Sequence, residues 1–410
     1  MQENSEVSNR RVGRILAFVF GAVFLFVIGF GVWNRRNLAH VARNWDDLSD
    51  GSPIARELRN TPNMLEYIVT HAEDISLVSY RIGDEEHGIF LNADRPRPLA
   101  STVKLLALAD YAAAVESGEL RPDEPVALAD WEKYFLPKTD GDAHALTLEQ
   151  LRTSKAITGD KVQLQDLVYG MIRYSDNAAT DYLLARLGRT RLAAAAVRLE
   201  LGPSEQVPLP LSGLFLSWES TRSTGSPADR LARYRAQPYA QYADDVWTLA
   251  ATLRSDAQFG SAERERLVSG DGSALTLREQ AQFARTLSPK GTARSYARLM
   301  AKIAQGELPG SAAMQAELQW PMRAPQLREN FDAFGTKGGS LPSIVTEAIF
   351  ATPKGTQQKR VCALFFEGMP MAVWLELMHS FMQQRFEQEL LSSDEFFEHV
   401  RDRVSNLPKR

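Results

Sequence analysis

The sequence predicts one α/β unit in which strands from both ends of the chain share an antiparallel sheet and helices fill the chain between them. Three observations predict it. Residues 74–82 (D-I-S-L-V-S-Y-R-I) alternate with the period of a strand, turn at Gly83-Asp84-Glu85-Glu86, and return as a second strand over 88–92. Residues 344–352 and 359–366 repeat that pattern near the other end, around the turn Pro353-Lys354-Gly355. Between the two pairs, apolar residues recur with helical spacing.

Taken in order, residues 99–115 form a strongly apolar helix pattern that Gly118 stops. Residues 162–187 carry two helical segments around the string Ser175-Asp176-Asn177. Residues 203–273 read least clearly. They hold Ser223 to Pro227 (S-T-G-S-P), an aromatic-basic stretch at 233–242 and a helix over 243–253, and are expected to be an insertion decorating the surface. Residues 275–304 give two helices joined near Ser288-Pro289-Lys290-Gly291, and 373–391 a closing helix. Cys362 is the only cysteine, so no intrachain disulfide forms; its apolar surroundings (R-V-C-A-L-F-F) give it a packing role.

The bulk numbers are those of a globular chain: 410 residues, 44% hydrophobic, 24% charged, net charge −4. That balance gives no reason to expect a nucleic-acid partner. Residues 15–33 are an uncharged apolar run flanked by Arg10, Arg11, Arg14, Arg35 and Arg36. At ~1.5 Å per residue the run reaches roughly 28 Å, close to the hydrocarbon thickness of a bilayer. It exceeds the ~7–15 apolar residues of a cleaved signal peptide, and no A-x-A-like site follows. The expected organisation is a tail (1–14), a single transmembrane helix (15–33), a tether (34–63), a main domain (64–393) and a C-terminal tail (394–410).

Three short strings carry the chemistry. In Ser101-Thr102-Val103-Lys104, Ser101 opens the apolar helix, where free N–H groups and the helix dipole favour negative charge. Lys104 follows one turn later on the same face. A serine hydroxyl attacks only when a base takes its proton, and a lysine serves as that base only when burial or a nearby positive charge lowers its pKa. Lys337 is the candidate for that charge. The plain alternative, an N-cap serine with a surface lysine, does not explain a lysine opening a helix that is apolar nearly all round. Ser175-Asp176-Asn177 falls between two helices, where Ser175 can relay a proton to a leaving group and Asn177 can hydrogen-bond a substrate amide. Lys337-Gly338-Gly339 lies on a strand edge, where glycines let a substrate backbone approach.

In this order, S-x-x-K, S-D-N and a variant of K-T-G resemble the active-site set of the serine β-lactamases and penicillin-binding proteins. Over about residues 64–393 the sequence looks like a class A β-lactamase-like domain. Val162 to Leu167 leads into S-D-N, and Ala178 to Leu184 follows it, in the manner of that family. The resemblance implies a β-lactamase/transpeptidase-like fold, a five-stranded antiparallel sheet flanked by helices beside an all-helical lobe. It implies that Ser101 forms an acyl-enzyme, with Lys104 as proton acceptor and the backbone N–H groups of Ser101 and Ser340 as oxyanion hole. It implies a β-lactam or cell-wall peptide as substrate, no cofactor and no metal. A cell-wall substrate would put the domain outside the cytoplasm, on the periplasmic side of the inner membrane.

Two departures stand out. The family carries a hydroxyl residue at the position of Gly338, where it helps hold a substrate carboxylate; Ser340 is the nearest replacement. Class A enzymes also carry a water-activating glutamate in a W-E-x-x-L-N-like loop. Trp218-Glu219 is the nearest match, but Ser220-Thr221-Arg222-Ser223 follows it and the spacing from Asn177 is longer. Either Glu219 is the deacylation base, or the site releases acyl groups slowly. The readings left open are a lactam or amide hydrolase, a D-alanyl-D-alanine peptidase on the same machinery, and a catalytically weak binding or sensor module.

Overall fold

A computed structural model describes residues 43–269 and 273–408. From Ser49 onward the chain forms one compact unit. Its centre is a five-stranded antiparallel sheet of β1 (Ile75–Arg81), β2 (Asp84–Leu91), β3 (Phe331–Leu341), β4 (Ile344–Pro353) and β5 (Arg360–Phe366), in the order β2-β1-β5-β4-β3. The N-terminal hairpin thus pairs with the last strand, Val78 opposite Ala363. All seven residues of β5 are buried, as a central strand covered on both faces requires. β2 is an edge, and its Glu85, Glu86 and His87 face solvent. The hairpin turns more tightly than the sequence indicates. Gly83 takes φ 90°, so Asp84 already pairs with Arg81, and the register shifts before Ile89 pairs with Ser79.

Helices cover both faces. In chain order they include α1 (Thr61–Thr70), α2 (Lys104–Glu116), α3 (Leu164–Arg173), α4 (Asn177–Leu187), α5 (Leu211–Trp218), α6 (Ala293–Gln305), α7 (Met371–Ser380), α8 (Met382–Ser392) and α9 (Asp394–Ser405). One core joins α2, α3, α4 and α6 to the face carrying Val78, Ala348, Phe350 and Ala363. A second packs α1, α7, α8 and α9 on the face carrying Leu77, Ile349 and Cys362. α2 buries ten of its residues, Lys104 among them, which makes it the central helix its composition predicts. The closing helix is two helices, because Phe381 adopts the left-handed region (φ 52°) between α7 and α8.

The structure corrects one expectation and adds detail to two others. The anticipated transmembrane helix over 15–33 lies outside the described residues, and no helix among the described residues is long and apolar enough to cross a membrane. The longest of these, Tyr239–Ser255, has 17 residues and carries Asp244, Asp245 and Arg254, whereas a span needs ~20 mostly apolar ones. The fold class is corrected on that point: an α/β domain with a five-stranded antiparallel sheet, without a membrane-crossing helix among the described residues. Next, the compact unit is wider than 64–393. α1 starts at Thr61, where the Asn60 side chain accepts from the Asn63 N–H at 2.9 Å, and α9 buries Phe397 and Val400. Last, 203–273 is no mere decoration. Its helices α5, Pro227–Ala236 and Tyr239–Ser255 build a third core from Leu214, Trp218, Leu231, Tyr242 and Val246, which also takes in Ala100, Leu341 and Ile344 beside the first and third motifs.

Candidate active site

The three motifs meet at one cavity of about 710 Å³, lined by Ser101, Ser175, Asn177, Gly338, Gly339 and Ser340 among others. Ser101 sits in a 3₁₀ turn, Ala100–Val103, that runs into α2. The turn is strained: Ala100, buried and not a glycine, takes φ 45°. Such a residue costs about 1–3 kcal/mol and persists only where its surroundings hold it. Two threonines do the holding. Thr346 Oγ1 on β4 donates to the Leu99 carbonyl at 2.7 Å and lies 2.8 Å from Thr102 Oγ1. β3 closes the other side. A Cβ built on Gly339 would lie 2.4 Å from the Ser101 backbone nitrogen and 2.7 Å from that of Thr102, so only glycine lets the strand come this close.

Lys104 is fully buried, and its Nζ donates to Ser175 O at 2.6 Å, Asn177 Oδ1 at 2.9 Å and Ser175 Oγ at 3.1 Å. Burial, and then the positive charge of Lys337, hold its pKa well below the usual lysine value, against the pull of Asp176, Asp181 and Asp140. Lys337, also buried, donates to Gly338 O at 2.5 Å and to the same Ser175 Oγ at 3.2 Å. Burial brings its pKa down to about 8, while Glu347 pulls the other way. The Ser175 hydroxyl therefore bridges two lysines, one biased towards the neutral amine and one still charged at neutral pH. That arrangement can pass a proton between a nucleophile and a leaving group.

The loop bearing Ser175 is fixed from below. Ser175 takes φ 67°. Asp176 caps α4 by accepting from the Ala179 N–H at 2.9 Å, and its other oxygen meets His144 Nδ1 at 3.0 Å. His144 is buried, stacked on Phe135 with the Trp131 edge against it, and its Nε2 lies 3.3 Å from Glu132. Burial disfavours its charged form, but Asp176 and Glu132 outweigh this and raise its pKa to about 9. Asn177 Nδ2 donates to Thr139 O at 3.1 Å. One turn on in α4, the buried Asp181 accepts from the N–H groups of Leu211 (2.6 Å) and Ser212 (2.9 Å) and from the Ser212 hydroxyl (2.5 Å). It thereby pins the start of α5, which walls the cavity.

The structure brings Ser101, Lys104, Ser175, Asn177, Lys337, Gly338, Gly339 and Ser340 together. Ser340 Oγ accepts from Trp374 Nε1 at 2.9 Å. Glu219 lines the same cavity, but its carboxylate is engaged elsewhere. It accepts from Ser273 Oγ at 2.8 Å and the Ala274 N–H at 3.0 Å, with Arg266 at 3.4 Å. The other cavity carboxylates are also held: Asp140 by the His144 N–H at 3.0 Å and Glu347 by the Thr336 hydroxyl at 2.6 Å. Sequence reasoning missed Thr346, His144, Asp181 and Glu347. Asp181 alone left a readable trace, as an acidic residue within the mostly apolar run 178–184. Among the described residues, Asp84, Glu86 and His87 on the β2 hairpin are the group whose ligand atoms come close enough for a metal ion, and none of them lines the cavity.

Among curated proteins, none matches the chain. Solved structures similar to it include a beta-lactamase from Sphaerobacter thermophilus DSM 20745 (19% identity, 80% of this chain and 95% of that one, TM-score 0.49). Another is a beta-lactamase from Chitinophaga pinensis DSM 2588 (13%, 80% and 98%, 0.45). A third is a single-residue mutant of PBP-A as an acyl-enzyme complex with penicillin G (15%, 80% and 96%, 0.43). The model of the beta-lactamase enzyme family matches residues 61–366, from the start of α1 to the end of β5. The chain belongs to the beta-lactamase enzyme family.

Proposed function

We propose that the chain is a serine hydrolase that opens amide or lactam bonds through an acyl-enzyme on Ser101. The observation that carries this reading is the buried Lys104 with the Ser175 hydroxyl between it and Lys337. Neutral Lys104 takes the Ser101 proton as Oγ attacks the carbonyl carbon. The backbone N–H groups of Ser101 and Ser340 receive the oxyanion. The proton then passes from Lys104 through Ser175 to the leaving nitrogen, the C–N bond breaks, and the acyl group stays on Ser101. Asn177 holds an amide of the acyl side, and Lys337 keeps Lys104 neutral.

Deacylation is the slow step in this account. Water attack on the ester needs a base within hydrogen-bond reach; Glu219, the expected base, has both carboxylate oxygens bonded to Ser273 and Ala274, and Asp140 and Glu347 are each bonded through one. Slow release favours a D-alanyl-D-alanine peptidase-like or penicillin-binding activity over a fast β-lactamase. The second reading, a binding module without turnover, is favoured by the same engaged Glu219. The two separate on acylation: mixing the protein with a penicillin and with an activated acyl ester, and following intact mass, gives a Ser101 adduct that Ser101→Ala and Lys104→Ala both abolish. Ligand binding that survives Lys104→Ala with no adduct would favour the binding module.

A further inference from the structure

The most unusual part of the cavity wall lies beneath Gly338. Gly338 on β3 and Glu347 on β4 are directly opposed, so their side-chain positions share one face of the sheet. A Cβ built on Gly338 would meet nothing nearer than Glu347, whose Cδ and Oε2 lie 3.6 Å away. Glu347 is buried, with its Oε1 taken by the Thr336 hydroxyl at 2.6 Å and by Gln384 Nε2 at 3.3 Å. Both bonds fall on Oε1, which leaves Oε2 as the oxygen turned to the open space at Gly338. Gln383, buried in the same wall, has an Oε1 without a hydrogen-bond partner. A second cavity of about 340 Å³ is lined by Ser175, Lys337, Gly338, Glu347 and Gln384. Where a hydroxyl residue at 338 would offer a donor, this chain offers acceptors.

We infer that the leaving-group side of the substrate presents a hydrogen-bond donor, an amide or amine N–H, to Glu347 across Gly338, in place of a terminal carboxylate. The inference rests on the acyl-enzyme reading above and names its substrate class: an amidated or amine-bearing peptide. A free carboxylate there would face the Glu347 carboxyl group, with Lys337 as the nearest compensating charge. A carboxamide satisfies Oε2 and carries no charge to repel.

The test uses the full chain and two N-acyl-alanyl esters that share one acyl group. The leaving alcohol is lactate in one and lactamide in the other. In both, the Ser101 Oγ–acyl bond forms, the acyl–alkoxide bond breaks, and the Ser101 proton ends on the departing oxygen. Adduct formation is followed by intact mass. The lactamide ester is expected to acylate about tenfold faster, the size of one well-made hydrogen bond. Glu347→Gln should close or reverse that gap, because its amide can donate to a carboxylate. The ratio is internal to each protein, so partial loss of folded material does not distort it. Gly338→Thr, whose added Cβ has room, should shift the ratio the same way. Equal rates, or a faster lactate ester, in the wild-type protein overturn the inference and leave the hydrolase reading standing. No Ser101 adduct from either ester overturns the hydrolase reading and this inference with it.

Discussion

Replacing Gly339 with alanine puts a methyl group where the Ser101 backbone already is. The added Cβ would stand 2.4 Å from Ser101 N, 2.7 Å from Thr102 N and 2.8 Å from Thr346 Oγ1, where ordinary contact begins at 3.4 Å. Two of those atoms are backbone in a turn that is already strained at Ala100, so no side-chain rotation relieves the clash. Either β3 or the nucleophile turn moves by about 1 Å, and a misplacement of that size costs on the order of 100-fold in rate. The overpacking itself costs about 1–3 kcal/mol of stability. Gly338→Ala is the control one residue away, since its Cβ finds nothing nearer than 3.6 Å. Stopped-flow or quenched-flow mass analysis of Ser101 acylation, with thermal melts beside it, reads both effects. Gly339→Ala should acylate about 100-fold more slowly with a modest loss of melting temperature, and Gly338→Ala should leave the melt unchanged. A Gly339→Ala protein that acylates at the wild-type rate would refute the close packing of β3 on the nucleophile turn.

Other consequences follow from the same geometry. The acylation rate should rise with pH as Lys104 loses its proton; Lys337→Met should move that rising limb to higher pH, because Lys104 then keeps its proton longer. His144 has a folded pKa of about 9, above its unfolded value near 6.5, so its contribution is fully present below pH 6.5 and is lost as pH rises towards 9. That contribution is roughly 3 kcal/mol, and denaturant titrations at pH 6 and pH 9.5 should lose that difference in His144→Gln. Asp181→Ala leaves two buried N–H groups and a hydroxyl without their acceptor at the start of α5. It should cost about 3 kcal/mol in a denaturant melt and should raise KM more than it lowers the acylation step, since α5 walls the cavity without touching Ser101.

The parts of this fold that announced themselves did so through period and punctuation. β1 was legible from its alternation, β4 and β5 as short apolar runs on either side of a Pro-Lys-Gly turn, and α2 because its apolar residues run all round it. The cleft was legible because Ser101, Lys104, Ser175 and Lys337 fall in short strings whose residue types make sense only together. What hid from the sequence was tertiary. Nothing local marks Thr346 as the residue that ties the nucleophile turn to β4, or His144 as the support beneath Asp176, because each acts on a segment far away in the chain. Two helices of 203–273, Pro227–Ala236 and Tyr239–Ser255, were obscured by their mixed polarity, since each puts only part of its surface into the third core. Trp218-Glu219 read as a fragment of a catalytic loop; the structure places Glu219 at the cavity with its carboxylate bonded to Ser273 and Ala274.

The central claim is that Ser101 becomes acylated and stays so. The most direct measurement is a time course of intact mass for the full chain mixed with an activated acyl ester, with Ser101→Ala and Glu219→Gln run in parallel. The account predicts a single adduct that maps to Ser101, is absent from Ser101→Ala, persists long after the ester is mixed in, and decays at the same rate in Glu219→Gln. An adduct on another residue, or none with the ester hydrolysed equally by Ser101→Ala, would contradict it.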